Sequence, residues 1–426
     1  MSTVVYKLRV IDPKPADASI RNMKHMEYIG RRPGVVLNKG MSHGLFGVVD
    51  GHKAEEIRRI QDLSAYVKNK TDNGTIAYRA IISLDEADAL RLGYDDADKW
   101  RELVRARMPD MCDKIGIPMQ NLEYTAAVHR DKGHPHVHIL FWDKEQDIKK
   151  QAYVPPVISN SIRIGVIKHV FAEEMAAWQA IKSTARTAAT STAGGFFSNF
   201  VGSFTDMTQK DYQNAVERLK RGDDLADDML IYNRFNTADM NVLASELFKL
   251  CDAMPKKGRL QYKLMPPEVK KDIHTFVKML LDTNADCARE YARFIEANVA
   301  LSKYYTDNPE THSRAGAEAN KDITARLANT VLKAVKQLNN LERDYIRKAQ
   351  QEAWAARQSE WAAQRDIMRR EIIESLVIEL FGDLARSSRA AEQRCAHSVR
   401  SGELSKQARK ELALKLEDSS RMEWAR

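Results

Sequence analysis

Along the first 145 or so residues the apolar positions switch repeatedly between a period of two and a period near 3.6. Val4–Ile11 alternates around β-branched residues and predicts a strand. Asp17–Ile29 carries a helical pattern, with Asp17 placed as N-cap and Gly30 just past the end. Gly30–Gly51 holds six glycines and one proline, so it predicts a loop or a set of turns. Ile57, Ile60, Leu63 and Val67 give His52–Asn69 a helical stripe, Asn73-Gly74 marks a turn, and Thr75–Leu84 reads as a strand. Asp85–Gly116 is helical, broken near Gly93–Asp95 and perturbed by Pro109. Leu122–His129 and His136–Trp142 read as two strands. Arg-Asp-Lys-Gly-His-Pro joins them, with Gly133 and Pro135 in the turn, so the pair predicts a hairpin.

The texture changes after Tyr153–Ser161. Ile162–Ala189 is helical, and Ala193-Gly194-Gly195, after a Ser/Thr-rich stretch, predicts a linker. From Asp206 onward nearly every segment has helical periodicity: Gln209–Arg221, Asn241–Met254, Pro267–Asp282, Ala285–Tyr305, Asp322–Arg343 and a charged stretch from Asp344 to Leu384. The expected class is α+β, an antiparallel sheet flanked by helices, followed by an all-α region. The expected domains are 1–190, 196–320 and a long-helix, coiled-coil-like region 321–426.

Composition narrows the function classes. The 426 residues are 43% hydrophobic and 30% charged, which excludes wholesale disorder. No apolar run approaches the ~18–20 residues of a spanning helix, so no membrane insertion is expected. The first apolar stretch at the N-terminus is interrupted by charges and does not read as a signal peptide. Cys112, Cys251, Cys287 and Cys395 are scattered, which fits a reducing cytoplasm and no cysteine zinc site. Lys plus Arg is 67 against 59 for Asp plus Glu, a net +8 that permits a nucleic-acid partner without demanding one.

The chemistry concentrates at the predicted hairpin. Four of the 11 histidines fall in ten residues: His129, His134, His136 and His138. On a strand, residues i and i+2 share a face, so His136 and His138 project together. His129 ends the preceding strand and can face them across the pair. Three converging imidazoles with open positions suit a catalytic metal. Asp131 is placed to fix a ligand tautomer. His134, on the turn, is open between a fourth ligand and a surface or DNA-facing role.

These residues carry a resemblance. Tyr124–Asp143 is similar to the third motif of MobP-class, MobL-like relaxases of the HUH endonuclease superfamily. Tyr28-Ile-Gly-Arg-Arg-Pro-Gly34 resembles the first motif of that class. His43–Gly47 and Tyr78–Ser83 fit intervening segments, and Lys257–Pro267 looks like a downstream one. The resemblance implies an HUH-type sheet and a site-specific, strand-specific nicking transesterase. Such an enzyme forms a 5′-phosphotyrosyl DNA adduct at an origin of transfer and starts conjugative mobilisation from a bacterial cytoplasm. It implies single-stranded origin DNA as partner, with an accessory relaxosome protein and a coupling ATPase. It also implies a divalent ion, Mg²⁺ or Mn²⁺ in use, whereas imidazoles alone favour Zn²⁺ or Ni²⁺, so the donors do not name the ion. Where some relatives carry Glu after the Asp, this chain has Lys132.

Tyr28 matches the nucleophile position of the family. Arg21, Lys24 and His25 lie at i−7, i−4 and i−3, so its helical face is basic rather than apolar. Since some related relaxases attack with histidine, His25 is the alternative. Arg31 and Arg32 are expected to hold phosphate. Arg79 interrupts an apolar strand face and needs an anionic partner there. Tyr6, mid-strand, is expected to be structural. The helical remainder reads as a partner-binding region or a scaffold. Trp354 and Trp361 stand a heptad apart, which favours helix packing, while Trp354, Trp361 and Trp424 can also stack on bases. Two other readings stay open: a rolling-circle replication initiator, without a fused helicase because no Walker A motif follows residue 196, and a non-catalytic DNA-binding protein with a structural metal site.

Overall fold

A computed structural model describes residues 4–146, 152–222, 237–255, 258–384 and 410. Trp424 and Lys257 lie outside the described residues. The elements run β1 (Val5–Ile11), α1 (Ala18–Arg31), β2 (Phe46–Val49), β3 (His52–Lys53), α2 (Ile60–Asp72), β4 (Ala77–Ser83), α3 (Glu86–Arg91) and α4 (Ala97–Ile115). The hairpin strands β5 (Leu122–His129) and β6 (His136–Asp143) follow, then α5 (Pro156–Val170), α6 (Ala172–Gly202), α7 (Gln209–Arg221), α8 (Thr237–Ala253), α9 (Pro267–Thr283), α10 (Ala285–Lys303) and α11 (Pro309–Leu384). The chain divides into two units, residues 1–339 and 340–426.

Six strands form one antiparallel sheet in the order β1-β4-β6-β5-β2-β3. Strand alternation decides what each face meets. On β6, Val137, Ile139 and Phe141 join Trp100, Leu103 and Met108 of α4 and Ile162 and Val166 of α5 in one apolar layer. Leu140 and Trp142 point the other way and pack with Met26 and Ile29 of α1 and Ile60, Leu63 and Val67 of α2. The sheet is therefore covered on both faces, which is why β5 and β6 are almost wholly buried. By the same parity His136, His138 and His129 (in step with Ala127) lie on the α1/α2 face, where the apolar row ends.

Local chemistry sets the breaks. Asp85 and Asp96 cap α3 and α4 by accepting from the Ala87 and Asp98 amides, both at 3.0 Å. Gly93, at φ +75°, separates the two helices, and Gly116 ends α4 in the left-handed conformation. Pro109 stays inside α4.

Three expectations are corrected. Strand β2 forms inside the Gly30–Gly51 segment, because Phe46 and Val49 are buried against β5. Gly30 is buried within α1, and Asp17 makes no side-chain cap. A Cβ at Gly30 would stand 2.6 Å from Ile60 Cδ1 and 2.9 Å from Leu45 Cγ, so the residue permits close packing of α1 on α2. Gly30→Ala is expected to lower stability by ~1–3 kcal/mol despite the better helix propensity of alanine, read as a lower midpoint in urea. The expected linker is helix: Ala193-Gly194-Gly195 lie within α6, where Ala185, Ala189 and Ala193 form a buried i, i+4, i+8 row. The first two pack with Phe294 of α10, so the small residues there serve close helix packing.

In the second unit the described side chains from Ile346 to Leu376 are almost all exposed, Trp354 at 59% and Trp361 at 39%. No helix among the described residues is long and apolar enough to cross a membrane.

Candidate metal centre and nucleophile

The hairpin register sets His129 directly opposite His136, and Ala127 opposite His138. The ring centres of His129, His136 and His138 are separated by 5.2, 5.0 and 4.9 Å. Three imidazoles bound to one ion at ~2.1 Å have ring centres about 5 Å apart, so the backbone already holds the required spacing. The rings of His129 and His136 lie within 10° of parallel, which is stacking. Common ligation asks one of them to turn about χ2. Consistent with this, no group of three or more donors among the described residues is already closed around an ion position.

Two backbone carbonyls orient the rings. His129 Nε2 lies 2.9 Å from the Ile29 carbonyl, an acceptor in the last turn of α1 that has no helical partner of its own. With the hydrogen assigned to Nε2 by this contact, Nδ1 carries the lone pair, and Nδ1 is buried with no partner. His136 Nδ1 lies 2.9 Å from the His134 carbonyl, which leaves its Nε2 as a lone pair, 3.2 Å from His138 Nε2. His136 Nε2 therefore accepts from His138 Nε2, while His129 Nδ1 is left without a partner; ligation of one ion by all three rings would replace that hydrogen bond and use the unpartnered nitrogen. Burial lowers the pKa of His129 to about 4, with help from His136 and Arg32. Burial lowers His138 to about 3, with help from His136, His129, His25 and Arg32. Both are neutral at pH 7, the state that ligates.

Helix α1 brings a fourth imidazole. The His25 ring stands edge-on to His138 at 6.0 Å, and burial, then Arg79, lowers its pKa to about 4. His134 does not play that part: its side chain is on the exposed turn, and its carbonyl is what contacts His136. Among the described residues the Asp131 carboxylate is hydrogen-bonded to no histidine. It forms an ion pair with Arg32, whose guanidinium sits 5.4 Å over the Tyr28 ring.

The loop after α1 is pinned to the hairpin. Val35 bridges His129, the Val36 amide donates to the Val128 carbonyl at 2.9 Å, and Arg130 donates to the Gly34 carbonyl at 2.8 Å. Gly34 has φ +88°, and a Cβ there would stand 2.5 Å from Asp131 Oδ1. Only glycine leaves room for the Arg32–Asp131 pair, a role the sequence signals only as a glycine after Arg-Arg-Pro. Tyr28 itself is 56% exposed, one helical turn beyond His25.

The other basic residues separate. Lys24 and Arg31 are exposed, and the Arg21 side chain pairs with Asp17 at the surface. Arg79 is engaged inside the protein: Nη2 donates to the Arg21 carbonyl at 2.9 Å and to Asn22 Oδ1 at 2.7 Å. Asn22 in turn donates to Thr71 Oγ1, so this chain ties α1 to β4 and α2. Tyr6 is buried. His43 is buried, with Nε2 2.7 Å from the Ile57 carbonyl and Nδ1 accepting from Leu45, a purely structural position.

A family model described as MobL relaxases matches residues 24–377, which takes in Tyr28, the histidine hairpin and most of the helical region. No curated protein and no solved structure gives a significant match to the chain.

Proposed function

The chain belongs to the MobL relaxases, and on that premise we propose that its sheet domain nicks one strand of DNA at an origin of transfer, with Tyr28 as the attacking group. The observation that carries this reading is the convergence of His129, His136 and His138 at the end of β5 and β6, with the last turns of α1 laid against them. Tyr28 Oη attacks the scissile phosphorus, the bond to the 3′ oxygen breaks, and that oxygen leaves as a 3′-hydroxyl, taking its proton from water. The strand end stays on the enzyme as a 5′-phosphotyrosyl ester, which conserves the bond for later rejoining. The exposed phenol gives up its proton to water. His25, with its pKa near 4, is a weak proton store and is better suited to positioning.

His129, His136 and His138 would hold a divalent ion, which supplies positive charge beside the scissile phosphate. Arg32, steadied by Asp131, stands at the Tyr28 ring as a phosphate contact. Lys24 and Arg31, exposed on the same helix, extend that contact along the strand, with Arg21 after release from Asp17. The Arg79 guanidinium is engaged inside the protein and is left out of the DNA-binding set, whereas the exposed His134 ring is kept in it.

The test is covalent capture. With Mn²⁺ or Mg²⁺ and single-stranded oligonucleotides from the cognate origin, the full chain is expected to give a protein–DNA band that survives SDS. No band with any origin strand would leave only a DNA-binding role. Asp131→Asn is expected to retain the band but form it more slowly, by about 10-fold for the loss of one charge-assisted contact. Time courses of adduct formation at saturating DNA measure it.

A further inference from the structure

The segment Lys257–Pro267, singled out in the sequence but unused by the nicking site, leads into a surface with its own chemistry. A short 3-10 turn, Tyr262–Leu264, precedes α9, and the Tyr262 ring stacks on His274 of that helix with centres 5.4 Å apart and planes within 23°. The Tyr262 hydroxyl contacts His274 Nε2, and the Tyr262 amide donates to Asn329 Oδ1 at 3.0 Å, so Tyr262 is fixed at both its ring and its backbone. Lys270 lies 5.8 Å over the Tyr262 ring and donates to the Lys263 carbonyl at 3.2 Å. None of these contacts involves the histidine cluster.

Lys270, His274 and Lys278 recur at i, i+4 and i+8, about 6 Å apart along one face of α9. Lys263, Lys271, His274 and Lys278 are exposed. No ion pair involves Lys263, Lys270, Lys271 or Lys278 among the described residues; of the acidic residues of the helix, Glu268 and Asp272 lie off the Lys270–His274–Lys278 row and Asp282 stands one turn beyond its end. A fixed aromatic pair set among lysines that are outside any ion pair fits a flexible polyanion with exposed flat bases. Duplex DNA offers the phosphates and hides the bases. An acidic peptide offers charge without a flat ring at each step. Burial pushes the Tyr262 phenol up, so its hydroxyl acts here as a hydrogen-bonding group and not as a second nucleophile.

We propose that the Tyr262–His274 pair and the α9 lysines form a second binding surface for single-stranded DNA. A base stacks on the outer face of His274, and the lysines follow the backbone. The inference does not need the nicking reading, because binding here requires neither metal nor an origin sequence. The experiment is therefore anisotropy of a labelled oligo-dT with the full chain in EDTA, over a range of salt. His274→Ala is expected to weaken binding roughly 5- to 150-fold, equivalent to ~1–3 kcal/mol for one stacked base. Replacing Lys270, Lys271 and Lys278 together by Gln is expected to flatten the slope of log K against log salt by about 2. Both changes are at or near the surface, and an unchanged melting temperature confirms the fold. Unchanged affinity and slope in both variants overturn the proposal, as does wild-type binding that prefers duplex DNA. If adduct formation on origin DNA fails while these losses are found, the nicking reading falls and this one stands.

Discussion

Tyr28→Phe is expected to abolish the SDS-resistant DNA adduct, lowering its rate of formation by at least ~10³-fold, the scale on which enzymes lose activity when a nucleophile is removed. Affinity for the same oligonucleotide is expected to stay within about threefold, under ~0.7 kcal/mol. The contrast follows from where the residue sits. Tyr28 is more than half exposed and its ring lies under Arg32, a contact that phenylalanine keeps. Only the oxygen is lost, so a fall in adduct without a fall in binding or melting temperature identifies the attacking atom. His25→Ala serves as the counter-test. His25 faces His138 from within the cluster, so its removal is expected to slow adduct formation while leaving the band visible. An adduct that survives in Tyr28→Phe and vanishes in His25→Ala transfers the nucleophile to His25.

The parts of this site that the sequence announces are those fixed by strand parity. His129, His136 and His138 follow from a period of two and a six-residue connection, and the bounds of β5 agree with the pattern to the residue. What stays hidden depends on partners distant in the chain. Arg79 reads as an inward charge in want of an anion, yet its Nη2 is held by an amide oxygen and a backbone carbonyl from α1, with Nε buried and unpartnered. Asp131 reads as a histidine orienter because it is near His129 in sequence, whereas Arg32, 99 residues away, claims it. The carbonyls of Ile29 and His134 do the orienting instead, and no residue type encodes a carbonyl. The surroundings of His134 and His25 are set the same way: turn geometry carries the His134 ring outward, and helix docking brings His25 to His138.

Glycine and alanine mislead in a related way. Gly30 and the Ala193–Gly195 run suggest an end and a linker because small residues lack local preference for helix or core. At Gly30 the missing side chain is used by Ile60 and Leu45; in α6 the close packing against α10 lies one to two turns earlier, at Ala185 and Ala189, and the Ala193–Gly195 run simply continues that helix. Pattern alone cannot separate a residue that is small for flexibility from one that is small for contact, since both leave the same gap in the hydrophobic period.

The second large effect concerns the metal. Mn²⁺ or Ni²⁺ at about 100 times its dissociation constant is expected to stabilise the wild-type protein by ~2.7 kcal/mol. For a domain of this size that raises the melting temperature by roughly 5–10 °C. His136→Ala and His138→Ala are each expected to remove this shift and to lower metal affinity at least ~100-fold, since loss of an outer-shell partner alone costs 10- to 100-fold. Metal content after dialysis gives the same comparison without relying on activity. His134→Ala is the control: its ring stands outside the cluster, so its metal shift is expected to match wild type. The prediction rests on geometry and protonation together. Ring centres about 5 Å apart supply the spacing, burial keeps His129 and His138 neutral, and the buried Nδ1 of His129 has no protein partner competing for its lone pair. If neither alanine variant alters metal binding, the imidazoles are a packed polar end to the apolar row of β5 and β6, and the positive charge for nicking must come from Arg32, Arg31 and Lys24 alone.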